Sequence, residues 1–182
     1  MTISLAYTLA KYEFLKKIIN NVEILPENTF KLNNLEYKVQ PLVIDKKIIS
    51  QAMYLLNIEI NENYFATIKS ILLLMDEKMY SCFIEKETKN EINLSITLSN
   101  SSITKLIVKK DEETKSNYIA ADMLLNGWKV IVSDNVNLIG PLGTVYSFSS
   151  RDCSCQEFIK SRKPCCHLLL LECVQNNKKL FK

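Results

Sequence analysis

Two short segments, Cys153-Ser-Cys155 and Cys165-Cys-His167, are separated by nine residues. They contain four of the six cysteines of this chain and its only histidine. Thiolate and imidazole groups are ligands that Zn²⁺ prefers, and a structural zinc site takes four of them in a tetrahedron. A Cys-x-Cys pair followed by a Cys-x-His pair supplies such a set. The segment therefore predicts one structural Zn²⁺ ion with four protein ligands: Cys153, Cys155, Cys165 and His167.

Cysteines can also belong to a core, a disulfide or a catalytic pair, and these roles fit the segment less well than a metal site. A lone cysteine is more often part of the core, which is the expectation for Cys82. Disulfides need an oxidising compartment, and the apolar residues Ile3 to Ala10 have neither the basic segment nor the cleavage site of a secretory signal. A catalytic Cys/His pair normally combines distant segments, whereas residues 165–167 are neighbours. We therefore expect retained thiols and an intracellular location, cytoplasmic or, in a eukaryote, nuclear.

The pattern Cys-x-Cys-x9-Cys-x-His, with a helix expected after the histidine, resembles the SWIM zinc finger. The similarity covers about residues 117–176, and residues 1–110 resemble no family that we can name. The flanking features also agree. Tyr118 to Gly127 match an alanine-containing helix followed by glycine, and Trp128 to Ser133 with Gly143 to Phe148 match a β-hairpin that ends in an aromatic strand. Phe158 and the step Pro164-Cys165 match further common features of the family.

The resemblance implies a binding function, because SWIM fingers are thought to bind proteins or DNA. It implies a non-enzymatic, zinc-binding adaptor that interacts with a protein partner, associates with DNA, or does both. The alternative is a direct DNA-binding accessory factor in recombination, replication or transposition. Two positions depart from the family pattern. Cys166 stands where many members have lysine, so a spare thiol lies beside the ligands, and Leu170 stands where the members that assist recombination tend to have alanine.

Positive charge is concentrated around the predicted metal site. Residues 151–182 hold seven Lys or Arg against three Asp or Glu, whereas the other 150 residues hold 16 against 17. Basic side chains beside a finger are typical of phosphate contact, although the pI of about 8.4 is below the value above 9 of a dedicated nucleic-acid domain. An ordinary solvated loop is the alternative. The candidate nucleic-acid-binding residues are Arg151, Lys160, Arg162 and Lys163.

Apolar periodicity predicts the elements of the remaining chain. Helices are expected over residues 3–20, 46–57 and 62–78, with Asp45 and Asn61 as N-caps of the second and third. Hairpins are expected around Asn33-Asn34 and Lys89-Asn90, and a further strand at 103–108. A fourth helix is expected to follow Ser116 as its N-cap and to end at Gly127 as its left-handed terminal residue.

The charged stretch from Lys109 to Ser116 predicts a domain boundary. We expect an N-terminal α+β region of unknown type at 1–110 and the SWIM-like module at 111–182. The fold class is therefore α+β, with a mixed helix and hairpin region followed by a small ββα-like zinc-binding module. A helix that begins near Pro164 is expected to carry the last two ligands.

Membrane and enzyme functions are not expected. The longest apolar runs, Ile71 to Met75 and Leu168 to Leu171, are far shorter than the roughly 18 residues of a membrane span, so we expect a soluble protein. Residues 1–116 contain no histidine or glycine, and Glu85, Glu87 and Glu91 are expected at exposed hairpin positions. Four protein ligands also leave no open position on zinc for water activation. The sequence thus predicts no catalytic activity and no small-molecule substrate.

Overall fold

A computed structural model of the chain describes residues 3–98, 102–148 and 152–182. No helix in these three ranges is both long and apolar enough to cross a membrane. The helices are α1 Ile3–Ile18, α2 Lys46–Leu55, α3 Phe65–Lys78, α4 Glu112–Leu125, α5 Gln156–Ser161, α6 Cys166–Asn176 and α7 Lys178–Phe181. The strands are β1 Glu23–Leu25, β2 Thr29–Leu32, β3 Leu35–Lys38, β4 Met79–Glu87, β5 Glu91–Leu98, β6 Ile103–Lys109, β7 Lys129–Val132, β8 Val136–Ile139 and β9 Val145–Ser147.

The chain forms two compact units that are discontinuous in sequence. Unit 1 comprises Met1–Val43 and Ile58–Asp111, and unit 2 comprises Ile44–Asn57 and Glu112–Lys182. The predicted division at residue 110 lies next to the junction at Asp111. However, helix α2, which lies before that division in sequence, belongs to the unit that carries the Cys/His segment.

Unit 1 contains two antiparallel three-stranded sheets, β1-β2-β3 and β4-β5-β6. The predicted hairpin at Asn33-Asn34 is confirmed: both residues have positive φ, 51° and 65°, as a type I′ turn requires, and Leu32 pairs with Leu35. In the second sheet, Ile92, Leu94 and Ile96 are fully buried and α1 packs against the strands. Cys82 pairs with Ile96 on this face but is only half-buried, so it lies at the margin of the core in which it was expected.

Unit 2 is built on three helices, with α2 packed against α4 and α4 against α6. The predicted N-cap of α2 is confirmed, because Asp45 Oδ1 accepts a hydrogen bond of 2.7 Å from the Lys47 amide. The C-terminus is tied to the same helix: Gln51 Nε2 donates to the Leu180 carbonyl at 3.1 Å, and Phe181 is buried. Helix α2 thereby holds the chain end in unit 2.

Helix α4 begins earlier than predicted and ends where predicted. It starts at Glu112, so Ser116 is a buried interior residue and its prediction as N-cap is wrong. Two glutamates in the first turn favour this start, since negative charge stabilises a helix N-terminus. At the other end, Gly127 has φ of +96°, and the amides of Gly127 and Trp128 donate to the carbonyls of Leu124 and Met123. This is a Schellman motif.

Strands β7, β8 and β9 form an antiparallel sheet in that order. The register pairs Val130 with Leu138 and Leu138 with Tyr146 on one face, and Leu138 is fully buried. The predicted α+β class is confirmed. The zinc-binding module is larger than the ββα arrangement that the sequence suggested, because it has a third strand and an additional helix, α5, between the two ligand pairs.

Candidate metal centre

Two helix starts present the four predicted ligands. Cys155 is the N-cap of α5, and its Sγ accepts a hydrogen bond from the Phe158 amide at 3.4 Å. Cys165 is the N-cap of α6, and His167 lies in the first turn of that helix. Pro164 therefore precedes α6 and does not occupy its first turn, which corrects the predicted helix start. Cys153 lies two residues before the first of these caps.

The four ligand atoms lie within 4.8 Å of one another. Cys153 Sγ is 3.8 Å from His167 Nδ1. Zn–S and Zn–N bonds of about 2.3 and 2.0–2.1 Å in a tetrahedron place sulfur and nitrogen roughly 3.6 Å apart, so this spacing fits zinc. In the described part of the chain, no second group of His, Cys, Asp or Glu side chains has metal-binding spacing.

The centre is largely shielded from solvent. Cys153, Cys165 and His167 are buried, and Cys155 is half-buried. Apolar side chains surround the sulfurs, with Phe158 buried among them and Phe148 and Leu168 packed against the cluster. A closed apolar shell favours a structural site, because it excludes water from the metal.

Burial sets the protonation of these ligands. It raises the pKa of Cys153, and it raises the pKa of Cys165 to about 12. Burial also opposes ionisation of Cys155, but hydrogen bonds, first that of the Phe158 amide, lower its pKa overall. Desolvation lowers the pKa of His167, which is therefore neutral at pH 7. Zinc binding at neutral pH must displace protons from the buried thiols.

The two remaining C-terminal cysteines lie outside the four-ligand cluster. Cys166 is half-buried, and burial, followed by the charge of Glu157, raises its pKa to about 11. Cys173 is buried in α6, and its Sγ lies 3.4 Å from Asn117 Oδ1 in α4. Cys173 therefore connects two helices of unit 2, whereas Cys166 is a spare thiol next to the ligands.

Three aromatic rings meet beside the cysteines. The ring centroid of Tyr146 lies 4.5 Å from that of His167, nearly parallel at 19°. The centroid of Trp128 lies 4.8 Å from His167 and 5.4 Å from Tyr146, with tilted planes. Sequence analysis missed this contact, although Trp128 is the only tryptophan and directly follows the helix-ending Gly127.

Three of the four basic residues predicted to contact nucleic acid lie at the end of α5 and in the turn that follows it. Lys160, Arg162 and Lys163 are exposed. Arg162 caps α5 in the left-handed conformation, with φ of 55°, and its guanidinium carbon lies 5.8 Å from the centre of the Phe158 ring. The fourth predicted residue, Arg151, lies outside the described residues.

Comparison with known families identifies the segment. Residues 129–172 match the family model of the SWIM zinc finger. This segment, with its Cys₃His cluster, is a SWIM zinc finger with a structural zinc site, as the ligand pattern predicted. The match covers less than half of the 182 residues, so it does not assign the rest of the chain. No curated protein and no solved structure gives a significant match.

Proposed function

We propose that this chain is a non-enzymatic adaptor whose zinc finger shapes a surface for a protein partner. The ligand set supports a structural role for the metal. Three thiolates and one imidazole would fill a tetrahedron around zinc and leave no free position at which to activate water or a substrate. Zinc finger domains commonly bind proteins or DNA. The exposed residues of unit 2 favour a protein partner over DNA.

An exposed apolar surface on the finger carries the proposal. Register places Lys129, Ile139 and Val145 in one row on the face opposite the buried Leu138. Ile131 and Val145, on this face, are 49% and 59% exposed, and Leu142 in the turn before β9 is 97% exposed. We call Ile131, Leu142 and Val145 the hairpin face. Exposed apolar side chains on one sheet face and in the adjoining turn are typical of protein contact sites.

Charge adds a preference for the partner. Unit 1 holds 12 Lys or Arg and 12 Asp or Glu, whereas unit 2 holds 11 and 8. The whole positive excess therefore belongs to the unit with the finger, and Lys129 lies on the same sheet face as the apolar residues. A partner that combines apolar anchors with acidic groups complements this surface.

Affinity capture followed by identification of the bound protein tests the proposal. The double variant Ile131→Ser/Val145→Ser should keep one zinc by native mass spectrometry and lose the partner. Cys153→Ser should lose both. Ile107→Ser is the matched control, because Ile107 is 61% exposed on a strand of unit 1. Retention of the partner by the double variant would contradict the proposed surface, and so would an equal loss of the partner in the Ile107 variant.

Direct DNA binding is the second candidate, favoured by three exposed basic residues at the end of α5 and in the turn that follows it: Lys160, Arg162 and Lys163. Three phosphate contacts would give a slope of about −3 for the logarithm of the binding constant against that of salt concentration. Duplex and single-stranded DNA should be titrated at several salt concentrations with wild type and with Lys160→Gln/Arg162→Gln/Lys163→Gln. Absence of binding, or a slope that the triple variant leaves unchanged, argues against DNA contact at this turn.

A further inference from the structure

We propose that Trp128 and Tyr146 are positioning residues that hold His167 with Nδ1 directed at Cys153 Sγ and thereby at the metal site. This inference rests on the zinc site that underlies the proposed function and assigns roles to two residues outside the ligand motif. The assignment depends on how three rings from three separate parts of the finger meet.

The ring contacts restrict the imidazole from more than one side. Tyr146 stacks on His167 at 4.5 Å, whereas Trp128 meets it at 4.8 Å with planes 57° apart. Trp128 and Tyr146 also contact each other at 5.4 Å, so the three centroids form a triangle. All three separations are within the range of favourable aromatic pairs. With His167 8% exposed, rotation of its ring would disturb two packed neighbours.

The backbone fixes each aromatic ring independently of the metal. The Schellman motif that ends α4 holds the Trp128 amide 3.1 Å from the Met123 carbonyl. On its other side, the Trp128 ring packs against Gly140, where an added Cβ would lie 3.5 Å from Trp128 Cη2. Tyr146 is placed by strand register opposite the buried Leu138. The rings therefore form a preorganised surface for the imidazole.

This arrangement replaces the usual support of a metal-binding histidine. Such a ring normally donates its second N–H to a carboxylate or carbonyl, which sets its orientation. Among the residues that the structure describes, His167 has no hydrogen bond to either group, and its one contact of hydrogen-bond type is with Cys153 Sγ, 3.8 Å from Nδ1. The side-chain torsion of histidine next to the ring is broad, so packing must select the orientation. The selected orientation presents Nδ1 to the sulfur.

The nitrogen assignment can be tested on the wild-type protein. His167 is the only histidine, so ring ¹⁵N correlation spectra of the zinc-loaded, tag-free chain contain one imidazole. We expect the metal-bound signal at Nδ1 and the proton at Nε2. A metal-bound Nε2 would overturn the inference. This measurement needs no variant, so it stays decisive if a substitution prevents folding.

The positioning role is tested by replacing the rings. Tyr146→Leu and Trp128→Leu should release zinc to a chelator about tenfold faster or more, as expected for residues that orient a ligand, and should change the absorption spectrum of the Co²⁺-substituted protein. Tyr146→Phe and Trp128→Phe keep a ring and should stay close to wild type. Wild-type release rates in the leucine variants, or equal losses in the phenylalanine and leucine variants, would overturn the role.

The outcome is separable from that of the proposed function. Zinc release and the ¹⁵N spectrum are measured on the isolated chain without any partner. Failure of the hairpin-face variants to lose a partner would refute the adaptor surface and leave the ring measurements unaffected. Conversely, zinc binding through His167 Nε2 would refute the positioning role of Trp128 and Tyr146 and would not affect the proposal for the hairpin face.

Discussion

Cys153 and His167 are separated by 14 positions in sequence, yet Cys153 Sγ lies 3.8 Å from His167 Nδ1. Helix α5 and the turn at Arg162 lie between the two ligand pairs and bring them together. Because the two ligand pairs lie at either end of this stretch, we expect its arrangement to depend on the metal. Apparent zinc-binding free energies of about 10–16 kcal/mol in finger peptides are as large as the stability of many domains.

Substitution of the cysteines should distinguish ligands from the spare thiol. Cys153→Ser and Cys165→Ser remove zinc-binding thiolates, and we expect these variants to lose the stoichiometric metal and the protection of α5 against hydrogen exchange. Cys166→Ser should retain one zinc, because Cys166 lies outside the cluster. Native mass spectrometry and hydrogen exchange check both results. Loss of zinc in the Cys166 variant would show that the assignment of the third cysteine ligand is wrong.

Zinc affinity should fall steeply with decreasing pH. Burial raises the pKa of Cys153 and of Cys165, the latter to about 12, so both thiols are protonated in the metal-free state at pH 7. Hydrogen bonds lower the pKa of Cys155 despite its burial, so this thiol ionises more readily than the other two. Binding then releases two to three protons, and the apparent affinity falls about 100- to 1,000-fold for each pH unit below 7.

The pH prediction has a second part that concerns His167. Its pKa is lowered by burial, so the ring is neutral at pH 7 and contributes no proton until the pH falls below its usual range near 6.5. Calorimetry in buffers of different ionisation enthalpy measures the protons released. Release of fewer than two protons at pH 7 would indicate that the thiols are already ionised before zinc binds.

The end of α4 should be sensitive to glycine replacement. Gly127 has φ of +96°, a conformation that costs a residue with a side chain about 1–2 kcal/mol, so Gly127→Ala should lower the free energy of unfolding of the zinc-loaded protein by that amount. Gly140 is the matched control, because its φ is not positive and an added Cβ would meet only ordinary contacts of 3.5 Å or more. Equal losses in the two alanine variants by urea denaturation would contradict this explanation.

The membership of α2 in unit 2 can be tested through its cap. Asp45→Ala removes a hydrogen bond of 2.7 Å to the Lys47 amide and should cost about 1 kcal/mol. Hydrogen exchange should show the loss of protection in α4 and in the C-terminal helix, where Gln51 contacts the Leu180 carbonyl. Asn61→Ala, which removes the equivalent 2.9 Å cap bond to Asn63 in unit 1, should leave those helices unchanged.

Features encoded by neighbouring residues were predictable from sequence. The ligand set is a local motif, and the structure brings all four atoms together. The turn at Asn33-Asn34 follows from the tolerance of asparagine for positive φ, and the end of α4 from the same property of Gly127. Each of these depends on one or two residues whose chemistry admits few alternatives.

Features that depend on distant contacts were not predictable. Helix α2 joins unit 2 through its packing on α4 and a bond from Gln51 to Leu180, 129 residues away. Helix α5 has only six residues, too few to show a helical period. The ring cluster combines His167 of α6, Tyr146 of β9 and Trp128 from the connection between α4 and β7. Tertiary packing, which the residue pattern does not record, determined all three.

X-ray absorption spectroscopy at the zinc edge, on exhaustively dialysed protein with the metal counted by native mass spectrometry, tests the central claim most directly. We expect one zinc per chain with three sulfur ligands at about 2.3 Å and one nitrogen ligand at about 2.0–2.1 Å. A protein that binds no stoichiometric zinc, or a shell in which oxygen replaces any of the four ligands, would contradict a closed Cys₃His site.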